Sequence, residues 1–524
     1  MIRESEAPER KMKRSLSAFD LTCLGIGAII GTGIFALTGT AAAGEQVADA
    51  SIWKTPLLNF AQAWLAHTDL AYGRAGAGPA IVISFVIAAV ACGLAALCYA
   101  ELASMIPVSG SAYTYSYATL GEIVAWIIGW DLILEYAVGN MAVAVGWSDY
   151  FVKFLYAVSH GAIKFPLWLV ADPVTAATKI AQGGETMRYY AAVAPPHLFG
   201  QIVAFNLPAL LIVAFVTILL VYGIRESARA NTIIVILKLA VVVFCIAFGS
   251  FLVSPANWHP FMPLGFSGVM SGAAIVFFAY IGFDAVSTTA EETKNPQRDL
   301  PIGMIASLII CTILYVLMSG VLTGIKKYSI YLGDAAPVAT AFASKPWAQA
   351  LASAGALAGM TSVLLVFQLG QPRILMAMAR DGLLPRFFAR LHPQFRTPHV
   401  TTILTGVAVG GVAMFVDIGS LSDLTNIGTL FAFILVCSGV IMLRRTDRER
   451  SRPFRVPLVP FLPVLGILMC FALMFSLPLE TWLRFFVWLA IGLMIYFFYS
   501  IRHSRLRLGI DPGETENEFP PIVP

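Results

Sequence analysis

Long apolar runs separated by short polar interruptions recur from residue 20 to residue 501, each near the roughly 20 residues that carry a helix across a bilayer. Applied along the chain, that length rule predicts twelve spans, near 20–43, 80–105, 122–151, 203–223, 231–253, 268–290, 302–323, 350–377, 399–416, 422–443, 460–478 and 481–501. One continuous membrane domain accounts for this pattern more simply than several soluble domains do.

Two runs are poor helix formers in the middle. The first reads Leu24-Gly-Ile-Gly-Ala-Ile-Ile-Gly-Thr-Gly-Ile-Phe35, with two glycines flanking the β-branched Thr32. Glycine costs about 1 kcal/mol relative to alanine in a helix interior, so the spacing predicts a break at Gly31-Thr32-Gly33. A break inside lipid strands backbone N–H and C=O groups, which is tolerated only where protein or a water-filled cavity surrounds them. A small zwitterion is the ligand such a place suits. The second run, Phe277-Phe-Ala-Tyr-Ile-Gly-Phe-Asp284, is interrupted by Gly282 and Asp284 and heads the second group of five spans, as the first run heads the first group. Broken helices at corresponding places in two halves point to a transporter site built by an inverted repeat. Close helix packing is the competing reading for either run alone, because Gly27 and Gly31 form a GxxxG pair.

Composition agrees with the pattern. The chain is 58% hydrophobic and 12% charged, with a mean hydropathy of +0.79, far from an ordinary soluble domain. Its net charge of +4 is small, and its basic residues sit in loops between apolar runs, which fits orientation in a bilayer and gives no basis for nucleic acid binding. The tail, the loops on its side and the C-terminus carry more than twice as many Lys and Arg as the opposite loops, so both termini are expected in the cytoplasm. The seven cysteines lie in apolar runs without metal-ligand spacing and read as small buried hydrophobes. The histidines fall in loops, span ends or the tail, so no catalytic or metal cluster marks an enzyme. Two outer loops are long, 44–79 and 152–202. Trp53, Trp64 and the Gly73–Pro79 exit suit either a short interfacial helix that caps the protein or a disordered loop.

Polar residues inside the runs narrow the chemistry. Lys238 lies roughly 10 Å into the fifth span and Glu135 roughly 20 Å into the third, at 1.5 Å per residue. Ionisable residues at that depth usually face the protein interior and act, although a lysine can also snorkel to the interface. Asp131 and Glu135 share a helix face that cannot look at lipid, and Glu135 suits both a partner for a buried ammonium and a plain acceptor for hydroxyls. In the eighth span Thr361, Ser362, Gln368, Gln371 and Arg373 form the polar set; hydroxyls there commonly bond back to their own helix.

Together, Gly25-Ile-Gly-Ala-Ile-Ile-Gly-Thr-Gly-Ile-Phe35, Phe277-Phe-Ala-Tyr-Ile-Gly-Phe-Asp-Ala-Val286, Glu291-Glu-Thr-Lys-Asn-Pro-Gln-Arg-Asp-Leu-Pro301 and Arg380-Asp-Gly-Leu-Leu-Pro385 resemble the amino acid/polyamine/organocation superfamily. The nearest likeness is to bacterial members of its cationic amino acid transporter family, over about residues 15–501. The resemblance implies an all-α membrane protein of the leucine-transporter-like fold, a 5+5 inverted repeat with discontinuous helices 1 and 6. The chain would then divide into a cytoplasmic tail (1–19), a transport core of ten spans (20–444), two peripheral spans (445–501) and a second cytoplasmic tail (502–524). It implies a secondary active importer of L-amino acids in the cytoplasmic membrane, proton-coupled, without sodium and with no cofactor, and leaves room for a small accessory membrane subunit. A proton-independent facilitator or exchanger and a transporter-like nutrient sensor are the alternatives. Carried over by position, N–H groups of Thr32 and Gly33 hold the substrate carboxylate, with Gly31 beside them in the substrate site, and carbonyls of Ile29, Phe278, Ala279 and Ile281 hold its ammonium. Phe278 also gates the ligand, Gln368 flanks it, and Lys238, Glu135, Thr361 and Ser362 form the proton site. The pocket suits small neutral side chains as well as cationic ones.

Overall fold

The computed structural model describes residues 16–45, 51–105, 113, 116–117, 120–198, 201–222, 228–395, 397–449 and 451–508. The basic residues of the N-terminal tail and the tail from 509 onward therefore lie outside the described residues. The first span opens at Ser17, whose hydroxyl caps the helix while Asp20 reaches back to its backbone N–H. The main helices are α1 (Ala18–Ile29), α2 (Gly33–Ala43), α3 (Leu57–Ala66), α4 (Ile81–Met105), α5 (Glu122–Val158), α6 (Pro173–Gln182), α7 (Leu207–Tyr222), α8 (Ala228–Ser250), α9 (Gly265–Val276), α10 (Pro296–Ile325), α11 (Pro346–Arg380), α12 (His399–Ala413), α13 (Ile418–Thr446), α14 (Phe461–Phe475) and α15 (Leu479–Ile495).

Among the described residues, eight helical stretches are long and apolar enough to cross a membrane, or nine if the bent pair α1 and α2 is one span. Three further apolar helices, α7, α12 and α14, are shorter, with 16, 15 and 15 residues. Their positions match the fourth, ninth and eleventh runs of the sequence, and their length is what keeps them below a full span by this measure.

The long helices α5 and α11 pack along one another, α10 lies against α4 and α1, and α13 lies on α5. This encloses the first break and α2, where every residue from Ile29 to Ala42 is buried, and α9 from Gly268 to Val276. The last helix is bolted to α5 by aromatic rings. Trp130 stacks on Trp488 at 4.4 Å and on Trp126 at 5.8 Å, and the Trp126 indole N–H donates to the carbonyl of Gly492 at 3.0 Å. A Cβ at Gly492 would overlap the Trp130 ring. Gly492→Val is therefore expected to destabilise the protein by about 1–3 kcal/mol through overpacking, read as a lower melting temperature in detergent.

Both long loops are folded where they are described. The first pairs Gly44–Glu45 with Arg74–Ala75, contains α3, and is held to α13 by a buried Arg74–Asp423 ion pair at 2.6 Å. The second contains α6, capped by the Asp172 carboxylate, which accepts from the N–H groups of Val174 and Thr175. Its Lys179 reaches Asp149 on α5 at 2.9 Å, while Lys153 on α5 pairs with Asp334 in the segment between α10 and α11. An apolar cluster of Val152, Leu167, Val170, Ala176, Tyr189 and Tyr190 lies beneath.

Candidate functional site: two broken helices

The two glycine-rich runs break in the same way. α1 ends at Ile29, Ile30 is extended (φ −75°, ψ 102°), and after Gly31 the chain resumes as a π-helical turn over Gly33–Leu37, bent 42° from α1. α9 ends at Val276 and continues as a 3₁₀ turn to Tyr280. There Ile281 is extended (φ −59°, ψ 138°), Gly282 follows at φ 110°, and a second 3₁₀ stretch runs from Phe283. In each break, an extended isoleucine is followed by glycine. The left-handed backbone at Gly282 is one that a residue with a Cβ adopts only with strain, and a Cβ there would also stand 3.1 Å from the carbonyl oxygen of Ala28.

The breaks touch. A Cβ at Gly33 would overlap Cα and Cβ of Ala279, and one at Gly31 would lie 2.8 Å from the Val363 side chain on α11. Glycine at 33 thus lets the first discontinuous helix lie against the backbone of the second. Phe278, Ala279 and Ile281 are buried at this crossing with Ile29 and Thr32.

Breaking two helices in a bilayer demands other partners for their carbonyls, and side chains of four other helices supply them. The Lys238 ammonium on α8 donates to the carbonyl of Gly27 at 2.8 Å and of Ile30 at 3.3 Å, and only 1% of the residue is exposed. The Tyr315 hydroxyl on α10 reaches the carbonyls of both Ile29 (2.8 Å) and Ala279 (2.9 Å). The Tyr150 hydroxyl on α5 donates to Phe35 at 2.6 Å, and the Asn426 amide on α13 donates to Ala274 at 2.7 Å. None of these last three residues stood out in the sequence. A polar residue in a span is the signal that could have found Asn426; a tyrosine in an apolar run gives no such signal.

The N–H side of the first break is different in kind. The leading N–H groups of α2 have no acceptor within their own helix. Beside them, the Thr32 hydroxyl is buried and has no partner among the described residues. Unpaired donors at a helix start suit an anion, and carbonyls across the same crossing suit a cation.

The other residues singled out in the sequence have the following hydrogen-bond partners. Glu135 accepts from the Thr429 hydroxyl of α13 at 2.8 Å. The Thr361 hydroxyl donates to Leu357 on its own helix and accepts from the Trp147 indole at 3.0 Å, and Ser362 donates to Gly359. Gln368 is engaged through both ends of its amide: its oxygen accepts from Asn140 on α5 and its nitrogen donates to Thr217 on α7 at 2.9 Å.

Comparison with known proteins identifies the family. The family model described as amino acid permease matches residues 16–498. The branched-chain amino acid permease BcaP of Bacillus subtilis is 47% identical over 95% of each chain, and the methylthioribose transporter of the same organism is 42% identical over 96% of each. A vacuolar cationic amino acid transporter of Arabidopsis thaliana is 36% identical over 84% of this chain and 65% of its own. These relatives are transporters, not enzymes, and the chain is a multi-pass membrane protein that belongs to the amino acid permease family.

Proposed function

We propose that the protein is a proton-coupled importer of neutral aliphatic L-amino acids in the cytoplasmic membrane, working by alternating access around the two breaks, with both termini cytoplasmic. The observation that carries this reading is the Lys238 ammonium on the carbonyls of Gly27 and Ile30, a fixed cation inside the bilayer at the break of the first span. In that place, a group able to take up and release a proton couples proton entry to the shape of the break without a sodium ion. The substrate carboxylate takes the N–H groups at Gly31, Thr32 and Gly33, and its ammonium takes carbonyls at Ile29, Phe278, Ala279 and Ile281. Glu135, Thr361 and Ser362 serve the proton site from the neighbouring helices. Twelve spans in two inverted groups of five plus a last pair fit the matching isoleucine–glycine breaks and the three short apolar helices.

A neutral side chain is supported by the apolar company of the crossing, Val363, Phe278, Ala279 and Ile281, and by the engagement of Gln368 with Asn140 and Thr217. A cationic side chain there would need its own buried partner. BcaP, named as a branched-chain amino acid permease, leans the same way. The test is uptake of leucine, valine, lysine and methylthioribose into proteoliposomes. Accumulation of leucine or valine above the external concentration is expected only with an inward proton gradient, with sodium making no difference. Equilibration that never exceeds the external concentration would replace this reading with a facilitator, and accumulation of lysine alone would overturn the substrate class.

A further inference from the structure

Tyr315 occupies a place that the permease reading leaves unassigned. It lies in α10, outside both breaks, with no exposed surface, and its single hydroxyl stands 2.8 Å from the carbonyl of Ile29 and 2.9 Å from that of Ala279. One O–H has one proton, so the two carbonyls share it. They belong to different discontinuous helices more than 200 residues apart in sequence, and they meet only through this oxygen among the hydrogen bonds described. The ring is fixed independently of the hydroxyl. It packs at 5.3 Å against both Phe85 and Tyr280, and Tyr280 in turn donates to the carbonyl of Phe85 at 2.9 Å.

We propose that Tyr315 is a positioning residue for the substrate ammonium: its hydroxyl ties the carbonyl of the first break to that of the second, and so sets their spacing before the amino acid arrives. The inference rests on the reading above that these carbonyls face the ammonium. Each carbonyl oxygen has two lone pairs, so the tyrosine occupies one and leaves the other for an N–H of the ligand. A primary ammonium carries three donors and suits two convergent carbonyls; a ligand lacking the amine has nothing to offer them. The tie therefore improves binding of amino acids and contributes nothing to the corresponding carboxylic acids, which engage only the N–H side of the first break.

Tyr315→Phe keeps the ring and removes the tie, and Tyr280→Phe removes the neighbouring hydroxyl that bonds away from the breaks. Half-saturation for leucine and for its des-amino analogue 4-methylpentanoate, as an inhibitor, is measured in proteoliposomes for the three proteins. Tyr315→Phe is expected to raise the leucine constant about tenfold, the scale of one hydrogen bond, with the analogue constant and the maximal rate within about twofold of the parent. Tyr280→Phe should leave the ratio of the two constants unchanged. An unaltered leucine constant, or an equal loss for leucine and the analogue, would overturn the proposal. Should Tyr315→Phe not reach the membrane, the same ratio is read in Tyr315→Met, which fills the space without an O–H. If the parent protein itself does not distinguish leucine from the analogue, the placement of the ammonium on these carbonyls fails, and not the role of Tyr315 within it.

Discussion

Gly33→Ala is expected to abolish uptake of every substrate and to remove any melting-temperature rise produced by amino acids. The added methyl would overlap Cα and Cβ of Ala279, which belong to the backbone and the shortest side chain of the second break, so no flexible group can swing aside. The two broken helices must separate, which moves the N–H groups of the first away from the carbonyls of the second. Overpacking of this kind costs about 1–3 kcal/mol of stability. The functional loss is larger, because the ligand is held by both sides of the crossing at once. Gly428→Ala on α13 is the control: a Cβ there meets nothing within 4 Å, and alanine in a helix interior is favoured over glycine by about 1 kcal/mol or less. Transport that survives Gly33→Ala at the level of Gly428→Ala would show that the crossing is not the binding site.

The breaks were legible because their cause is local. Glycine and β-branched residues in an apolar run weaken a helix wherever it lies, so Gly31, Gly33 and Gly282 announced themselves before any packing was known. The apolar runs at 122–151 and 350–377 continue as helix to Val158 and Arg380. Lys153 lies in that added length of α5, turned inward to Asp334 although the sequence counted it with an outer loop. Its ion pair crosses from α5 to the segment after α10, and no local pattern records such a partner.

Non-local contacts explain the rest of what the sequence left open. Gln368 was a polar residue in an apolar span, and only folding shows that Asn140 and Thr217 from two other helices take up its amide. Tyr315 presents the opposite case. A tyrosine in an apolar run is ordinary packing until its hydroxyl is found between two carbonyls. Hydrophobic periodicity indicates which side chains are buried, but not which backbone atoms wait for them. In a helix with an intact ladder those atoms are already paired; the unpaired ones exist only where a ladder has broken.

Lys238 is where that principle has its largest expected consequence for transport. Lys238→Met retains much of the side-chain length but leaves the carbonyls of Gly27 and Ile30 without the donor that now reaches them. A buried polar group left unsatisfied costs about 1–3 kcal/mol, so the melting temperature should fall. Gradient-driven accumulation should fall to background, because no group at the break exchanges a proton. Lys238→Arg separates the two effects. A guanidinium still donates to carbonyls, yet it never releases its proton in a protein. The arginine variant is therefore expected to recover part of the lost stability and amino-acid binding while still failing to accumulate substrate. Undiminished gradient-driven uptake by the methionine variant would sink the coupling role altogether. Recovery of accumulation by the arginine variant would reduce Lys238 to a brace for the break and move the proton to another group.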